Sequence, residues 1–588
     1  MISKLWSAEE PNPKKRPRQG GWRQQLQRQR LAEASSPQPS QLAMGHLLDW
    51  ADGVTSAKKM ARHMANAKAD GTNIPMVLRL ANIGAGGPQH ASHNLFGLLE
   101  WCGIPSQLTA LRDSNTTDIL LPSTLIRLLH STYPAHFKRL LGADQGLLNR
   151  FWGQLLERPQ NRGWMQEHPV LRGLGMEELG FMIPLAVHED AAPYSKTASF
   201  NCKSWSALLG DGDEKVTKYM ACSCIKEKAT AQADCSWEAL LADLWALGSG
   251  TVDGQPVALE PDGTKWTFVL LIAKGDEECH CQEWGLPHYN SEEVCSECLA
   301  NRTDHPYTDL RRGASWRLTT PLGKAAYLAR CRQPLHPLLA HPMATRLLCF
   351  LDVMHMVDCK GVASWVFGGV LNTLLKEPAL GANQKERLRR INQERLQWYK
   401  NNPGIIKLPR LLLHSHRQQD GWAELAGPAF KAAVTRNAAR FFEHLAASFC
   451  NSDTPKHQNI RKVTSNLVGF YGVLYKAGWF LNEEELVKLA THTQDFGVAY
   501  QRLRNIAAAE GELAWPIRPK AHKMMHIPEL AGHINPIRVQ CYSEESLMGT
   551  TARVYKKSMF GRYKATVQKV VLCKRLTGLL LRLEGAVS

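Results

Sequence analysis

Phe181-Met182-Ile183-Pro184-Leu185-Ala186-Val187-His188-Glu189-Asp190 and Lys265-Trp266-Thr267-Phe268-Val269-Leu270-Leu271-Ile272-Ala273, the latter running on to Gly275-Asp276, decide the fold class. Each is a short, apolar run, too brief for a buried helix, and each meets an aspartate where its apolar character stops. Between them, residues 198–209 and 215–224 read as two further strands around the polar turn Gly210-Asp211-Gly212-Asp213. Residues 235–247 read as an amphipathic helix carrying Trp237, Leu240, Leu241, Leu244 and Trp245. The order strand, strand, strand, helix, strand predicts an α/β core. With the first and fourth strands as neighbours in a mixed sheet, Asp190 and Asp276 would converge at its edge.

Outward from this core the period changes. Residues 44–170 are mostly helical in pattern: a Ser123/Thr124 cap precedes apolar residues at helical spacing over 120–129, and 147–156 continue the pattern. Glycine-rich 82–87 is read as a loop, since it lacks the flanking strand and spacing of a phosphate-binding fingerprint. Downstream, 346–351 form one more predicted apolar strand, ending in Asp352-Val353-Met354-His355. Helical periodicity then runs through 384–399, 427–448, 460–477 and 483–508. The first forty or so residues cannot bury a core and are expected to be disordered. Within them Lys14, Lys15, Arg16 and Arg18 form a proline-broken basic cluster of the kind used for nuclear import; the plain alternative is a solvated charge run or a loose nucleic-acid arm.

The 588-residue chain carries 71 basic and 54 acidic side chains, a net charge of +17, which favours a polyanionic partner. Hydrophobic residues make up 44% of it, which excludes wholesale disorder. No uncharged apolar run approaches the ~18 residues a bilayer span requires, so no membrane partner is expected. No apolar segment follows Met1, so a secretory signal is not expected and the fifteen cysteines read as reduced thiols or metal ligands.

Asp190 and Asp276, with a third acid, would form an oxygen cage for two hard cations, Mg²⁺ or Mn²⁺, able to activate water or a 3′-hydroxyl for phosphoryl displacement. Most aspartates after strands are only turn formers, so element order matters more than the pair alone. The blocks 181–190, 266–276, Asp352-Val353-Met354-His355 and Gln540-Cys541-Tyr542-Ser543-Glu544-Glu545-Ser546-Leu547-Met548-Gly549 resemble those of eukaryotic DDE/D transposases, nearest the CACTA and Kyakuja-Dileera-Zisupton types. Trp515-Pro516-Ile517-Arg518-Pro519-Lys520-Ala521-His522-Lys523-Met524-Met525-His526 resembles the block that precedes the catalytic glutamate in those families. The resemblance covers roughly 178–554. It implies an RNase H-like mixed-sheet core interrupted by a large helical insertion, and metal ligation by Asp190, Asp276 and Glu545, with Glu544 as the neighbouring alternative. Asp352 and His355 would support or orient the site; a buried, hydrogen-bonded strand-end pair is the bland alternative.

Cys279, Cys281, Cys295 and Cys298 give C-x-C-x13-C-x2-C, a set that could bind structural Zn²⁺, with His305 as a substitute ligand and free thiols as the alternative. His522 and His526 stand four apart, on one face of any helix; a structural or substrate-facing role is preferred for them over metal binding. Cys222 and Cys224 read as packing. Arg553, Lys556 and Lys557 fall just after the proposed glutamate, and with Lys520 and Lys523 they are expected to contact DNA phosphates, as is the basic stretch to Arg582, whose alternative is a solvated amphipathic helix over 567–583.

The expected layout is a basic tail (1–43), a helical domain (44–175), the core (176–358) with its cysteine-rich insertion (about 277–310), a helical insertion (359–535), and a glutamate-bearing and basic C-terminal part (536–588). The expected function is metal-dependent cleavage and transfer of DNA strands, at element termini, by a nuclear protein that needs no small-molecule cofactor and is compatible with homo-oligomers. An inactive, transposon-derived nucleic-acid-binding protein and another RNase H-fold nuclease remain open. A zinc-dependent interaction module is the remaining rival.

Overall fold

The computed structural model describes residues 41–69, 112–113, 118–226, 235–416, 420–558 and 564–584. The import-like cluster Lys14, Lys15, Arg16 and Arg18, and the 82–87 loop, lie outside them. The chain divides into two compact units, one built from its N-terminal part and Cys573 onward, the other ending at Leu572.

In the first unit, helices α1 (Gln41–Ala51) and α2 (Ala57–Ala69) accompany the end of the closing helix. Here the basic C-terminal residues are turned inward. Arg582 pairs with Asp52 at 2.6 Å, Arg575 stands 3.8 Å from the same carboxylate, and Lys574 lies over the Trp50 ring. These cations were expected on DNA; burial against acidic and aromatic partners takes them out of that role.

The second unit is mixed α/β, mostly helical, with one small mixed sheet. Its helices α3 (Pro122–Thr132), α4 (Pro134–Leu141), α5 (Gln145–Leu156) and α6 (Pro159–Glu167) precede the sheet. The expected Ser/Thr cap of α3 is not used. Pro122 occupies the first turn, and the Ser123 backbone and hydroxyl bond Asp243 instead.

Strand β1 (Met182–Pro193) is central. β2 (Ser199–Ala207) pairs with it antiparallel, β3 (Tyr219–Ile225) pairs with β2, and β4 (Thr267–Lys274) lies parallel on the other side, giving the order β3–β2–β1–β4. The sequence ends the first strand at residue 187, but β1 continues beyond the last β4 pairing. Asp190 stays in register with Cys202 of β2. The predicted strand 346–351 shrinks to one parallel bridge, Cys349 with Ala273, because the segment turns at Thr345–Leu348 and only Leu348 O meets the β4 edge.

Helix α7 (Cys235–Leu247) packs on the sheet, and the Trp237 indole donates to Glu189. Between the bridge and the glutamate block lie α8 (Val362–Leu374), α9 (Gln384–Asn401), α10 (Ala432–Phe449), α11 (Pro455–Lys476) and α12 (Glu483–Ala509). Helix α8 is buried along its whole length, and Gly368 and Gly369 let it approach the Glu424 backbone and the Trp515 ring. The short helix α13 (Pro519–Met524) and then α14 (Tyr542–Ser558) return the chain to the sheet. There Tyr555 stacks on Phe200 and bonds Ser223. The chain ends in α15 (Lys564–Leu583). No helix among the described residues is long and apolar enough to cross a membrane.

Candidate active site and metal centre

Three acids follow shortly after paired positions of the sheet. Val187 pairs with Ala273, and Ala273 bridges Cys349. Three residues beyond each lie Asp190, Asp276 and Asp352, since 187 + 3 = 190, 273 + 3 = 276 and 349 + 3 = 352. Period-two alternation puts Asp190 on the same face of β1 as His188 and sends Glu189 to the opposite one. Glu189 accordingly sits buried under Trp237 and Trp284 with Lys203 at 3.3 Å, while Asp190 lies within reach of the charges of Asp276, Glu545 and His355.

Glu544 and Glu545 are separated by the face of α14 they occupy. Glu544 is buried between Lys274 at 2.9 Å and Lys218 at 3.0 Å, so its charge is fully used. Despite the desolvation that opposes its charge, the two ammonium groups keep its carboxyl well below the ordinary range. Glu545 is partly exposed and accepts from His355 Nε2 at 3.0 Å. Burial first, then the negative charges of Asp276 and Glu545, raise the Asp190 carboxyl to about 8. Asp190, Asp276 and Glu545 therefore share one electrostatic neighbourhood, while Glu544 is held by the two lysines.

The three carboxylates do not form one tight cluster. Among the described residues, the sets whose donor atoms all lie within 4.8 Å of one another are Asp352, His355 and Cys541, and Cys295, Cys298, His522 and His526. Burial and, after it, the charges of Asp276 and Glu545 disfavour the Asp190 carboxylate, and a divalent cation would offset the charge repulsion. One oxygen of Asp276 accepts from Cys279 N–H at 2.6 Å and one of Asp190 from Ala191 N–H at 2.7 Å.

Asp352 has a different task. Its Oδ2 accepts from His355 Nδ1 at 2.6 Å and its Oδ1 from Cys541 N–H at 3.1 Å. Burial opposes a charge on His355, but Asp352, Cys541 and Glu545 outweigh it and raise the imidazole well above its ordinary range. The charged ring thus bridges Asp352 and Glu545 and orients the latter.

The four-cysteine zinc set expected from the sequence does not assemble. Cys279 and Cys281 lie on one helical turn, Cys279–Glu283, where residues two apart point to opposite sides and cannot meet on one ion. Cys281 Sγ donates to Pro287 O at 3.2 Å, and burial pushes its thiol up to about 12. His305 also stands outside the cluster.

Cys295 and Cys298 are instead joined by His522 and His526, all four buried. Cys298 Sγ lies 3.3 Å from His522 Nε2, Cys295 Sγ 3.6 Å from His526 Nε2, and the two Nε2 atoms are 3.3 Å apart. A tetrahedron with Zn–S bonds of ~2.3 Å and Zn–N bonds of ~2.05 Å has S–N edges of ~3.5 Å and N–N edges of ~3.3 Å, so these distances are those of a tetrahedral ion's ligands. His526 Nδ1 faces Thr320 Oγ1 at 3.4 Å, a contact that fixes the ring's orientation, whereas His522 Nδ1 is buried without a partner.

Lys520 and Lys523, expected on DNA, are also corrected. Lys523 is buried and pairs with Glu277 Oε1, and Lys520 Nζ donates to His355 O at 2.7 Å and Cys359 O at 3.3 Å. Arg553, Lys556 and Lys557 are exposed. Sequence reasoning missed the Cys/His set because 224 residues separate Cys298 from His522; the local signals were the C-x2-C spacing of Cys295 and Cys298 and the four-residue spacing of the histidines. No known family model matches the chain, and no curated protein is detectably similar to it.

Proposed function

We propose that this protein is a transposase-like, metal-dependent DNA strand cleavage and transfer protein with an RNase H-like core. The observation that carries this reading is that Asp190 and Asp276 each follow by two residues the last paired positions, His188 and Lys274, of two parallel neighbours, with Glu545 close enough to bear on the charge of Asp190. The helices between residues 362 and 509 support the expected insertion ahead of the glutamate.

Asp190, Asp276 and Glu545 would hold the Mg²⁺ or Mn²⁺ pair. When bound, such a pair activates a water or 3′-hydroxyl and stabilises the leaving oxygen. The chain's own groups prepare the cage: Asp352 holds His355, His355 donates to Glu545, and the Glu544–Lys218–Lys274 set anchors the first turn of α14. Lys556 lies eleven residues after Glu545, about three helical turns and ~16 Å along the same face. We assign it a backbone phosphate a few nucleotides from the cleavage point, with Arg553 and Lys557 flanking it. Zn²⁺ is the ion proposed for Cys295, Cys298, His522 and His526, and the 14–18 cluster is the proposed import signal.

The test is nicking of DNA by purified protein in Mg²⁺ or Mn²⁺, compared with Asp276→Ala. Loss of cleavage with DNA binding retained is expected. Undiminished cleavage in the variant removes the site assignment, and DNA binding in EDTA with no cleavage by the wild type favours a non-enzymatic relative.

A further inference from the structure

Four residues on or just beyond helix α13 are committed to two different centres. His522, and His526 just beyond the helix, supply half of the Cys₂His₂ set. Lys523, one residue after His522, reaches the other way to Glu277, the neighbour of Asp276. Lys520 spans to the carbonyls of His355 and Cys359, at the turn Met354–Asp358 that carries the histidine contacting Glu545. Lys523 is nine-tenths or more buried, and its ammonium is paired with Glu277 Oε1. A charge retained in such a place anchors both elements it joins, since losing either partner strands the other in a low-dielectric interior.

We propose that Lys520 and Lys523 are positioning residues that couple the Cys₂His₂ centre to the acid cage. Filling the Cys₂His₂ set fixes α13; Lys523 then sets the loop bearing Asp276, and Lys520 sets the turn bearing His355. The consequence is that affinity of the cage for divalent ions depends on a centre that shares no ligand with it. This rests on the reading of Asp190, Asp276 and Glu545 as a divalent-cation site.

The experiment is Mn²⁺ titration of the full-length protein by electron paramagnetic resonance, with zinc content measured on the same samples. Wild type, Lys523→Met, Lys523→Arg, Lys520→Met and Asp276→Ala are compared. The methionine variants are expected to retain one zinc per chain and to bind Mn²⁺ ~10–100-fold more weakly, the range for losing groups that orient metal ligands. Lys523→Arg should recover most of the affinity. Should Lys523→Met fail to fold, Lys520→Met carries the test, because its side chain meets backbone carbonyls rather than a buried carboxylate. Unchanged Mn²⁺ affinity in a folded, zinc-loaded Lys520→Met or Lys523→Met protein overturns the coupling while leaving the cage intact. Failure of the wild type to bind Mn²⁺, or full binding by Asp276→Ala, instead overturns the cage itself.

Discussion

Exchanging the two adjacent glutamates of α14 for glutamine, one at a time, separates a buried anchor from a ligand. Glu544 is 2% exposed and holds Lys274, 4% exposed, and Lys218, 13% exposed, at 2.9 and 3.0 Å. Glu544→Gln keeps the volume and removes the one anion between two ammonium groups. Breaking a buried pair by losing one partner costs ~3–5 kcal/mol. The loss should not double for the second lysine, because Lys218 is the more exposed of the two and keeps more of its hydration. Glu545, 47% exposed, loses a single contact with His355 in Glu545→Gln; at that exposure the change in stability should stay under ~1 kcal/mol. Urea denaturation followed by tryptophan fluorescence should therefore show a large fall in midpoint for Glu544→Gln and a small one for Glu545→Gln. Mg²⁺-dependent nicking should show the reverse, with Glu545→Gln down by at least ~100-fold. Equal destabilisation by both variants, or a stable Glu544→Gln protein that has lost all nicking, would refute the division of labour.

Two further outcomes follow from the packing. His168 is buried, with Nδ1 accepting from Val170 N–H and Nε2 facing Leu270 O, which requires the neutral ring; burial lowers its pKa to about 4 from 6.5. The unfolded chain takes up a proton below pH 6.5 that the folded chain refuses, so this stability is intact above pH 6.5 and lost as pH falls toward 4. At pH ~5 the loss is ~2 kcal/mol, to be read as the wild type's extra acid sensitivity over His168→Gln in urea midpoints at pH ~7 and ~5; parallel pH profiles would contradict it. Gly368→Ala would place a Cβ 2.4 Å from the Glu424 backbone and should cost ~1–3 kcal/mol, whereas Gly153→Ala in α5, with nothing within 4 Å, should gain ~0.5–1 kcal/mol; thermal midpoints moving in the same direction for both would count against the close approach at α8.

Periodicity was enough to place β1, β4, α7 and the long helices α9 to α12, because each pattern of apolar residues reports which face of a local element is buried, and Asp190 and Asp276 came with the strands that carry them. The bridge at Cys349 was harder to read: an apolar run signals burial, but a ladder also needs an extended backbone beside a free edge, and the Thr345–Leu348 turn denies it that. Likewise Cys279 and Cys281 have the residue type for zinc, but the turn they occupy splays them apart. The tertiary structure alone decided that Glu544 is an anchor, that Lys520 and Lys523 face inward, and that Cys295 and Cys298 meet His522 and His526. Each of these depends on which charge or ligand a distant segment brings alongside, and chain spacing carries no information about partners so far away along the chain.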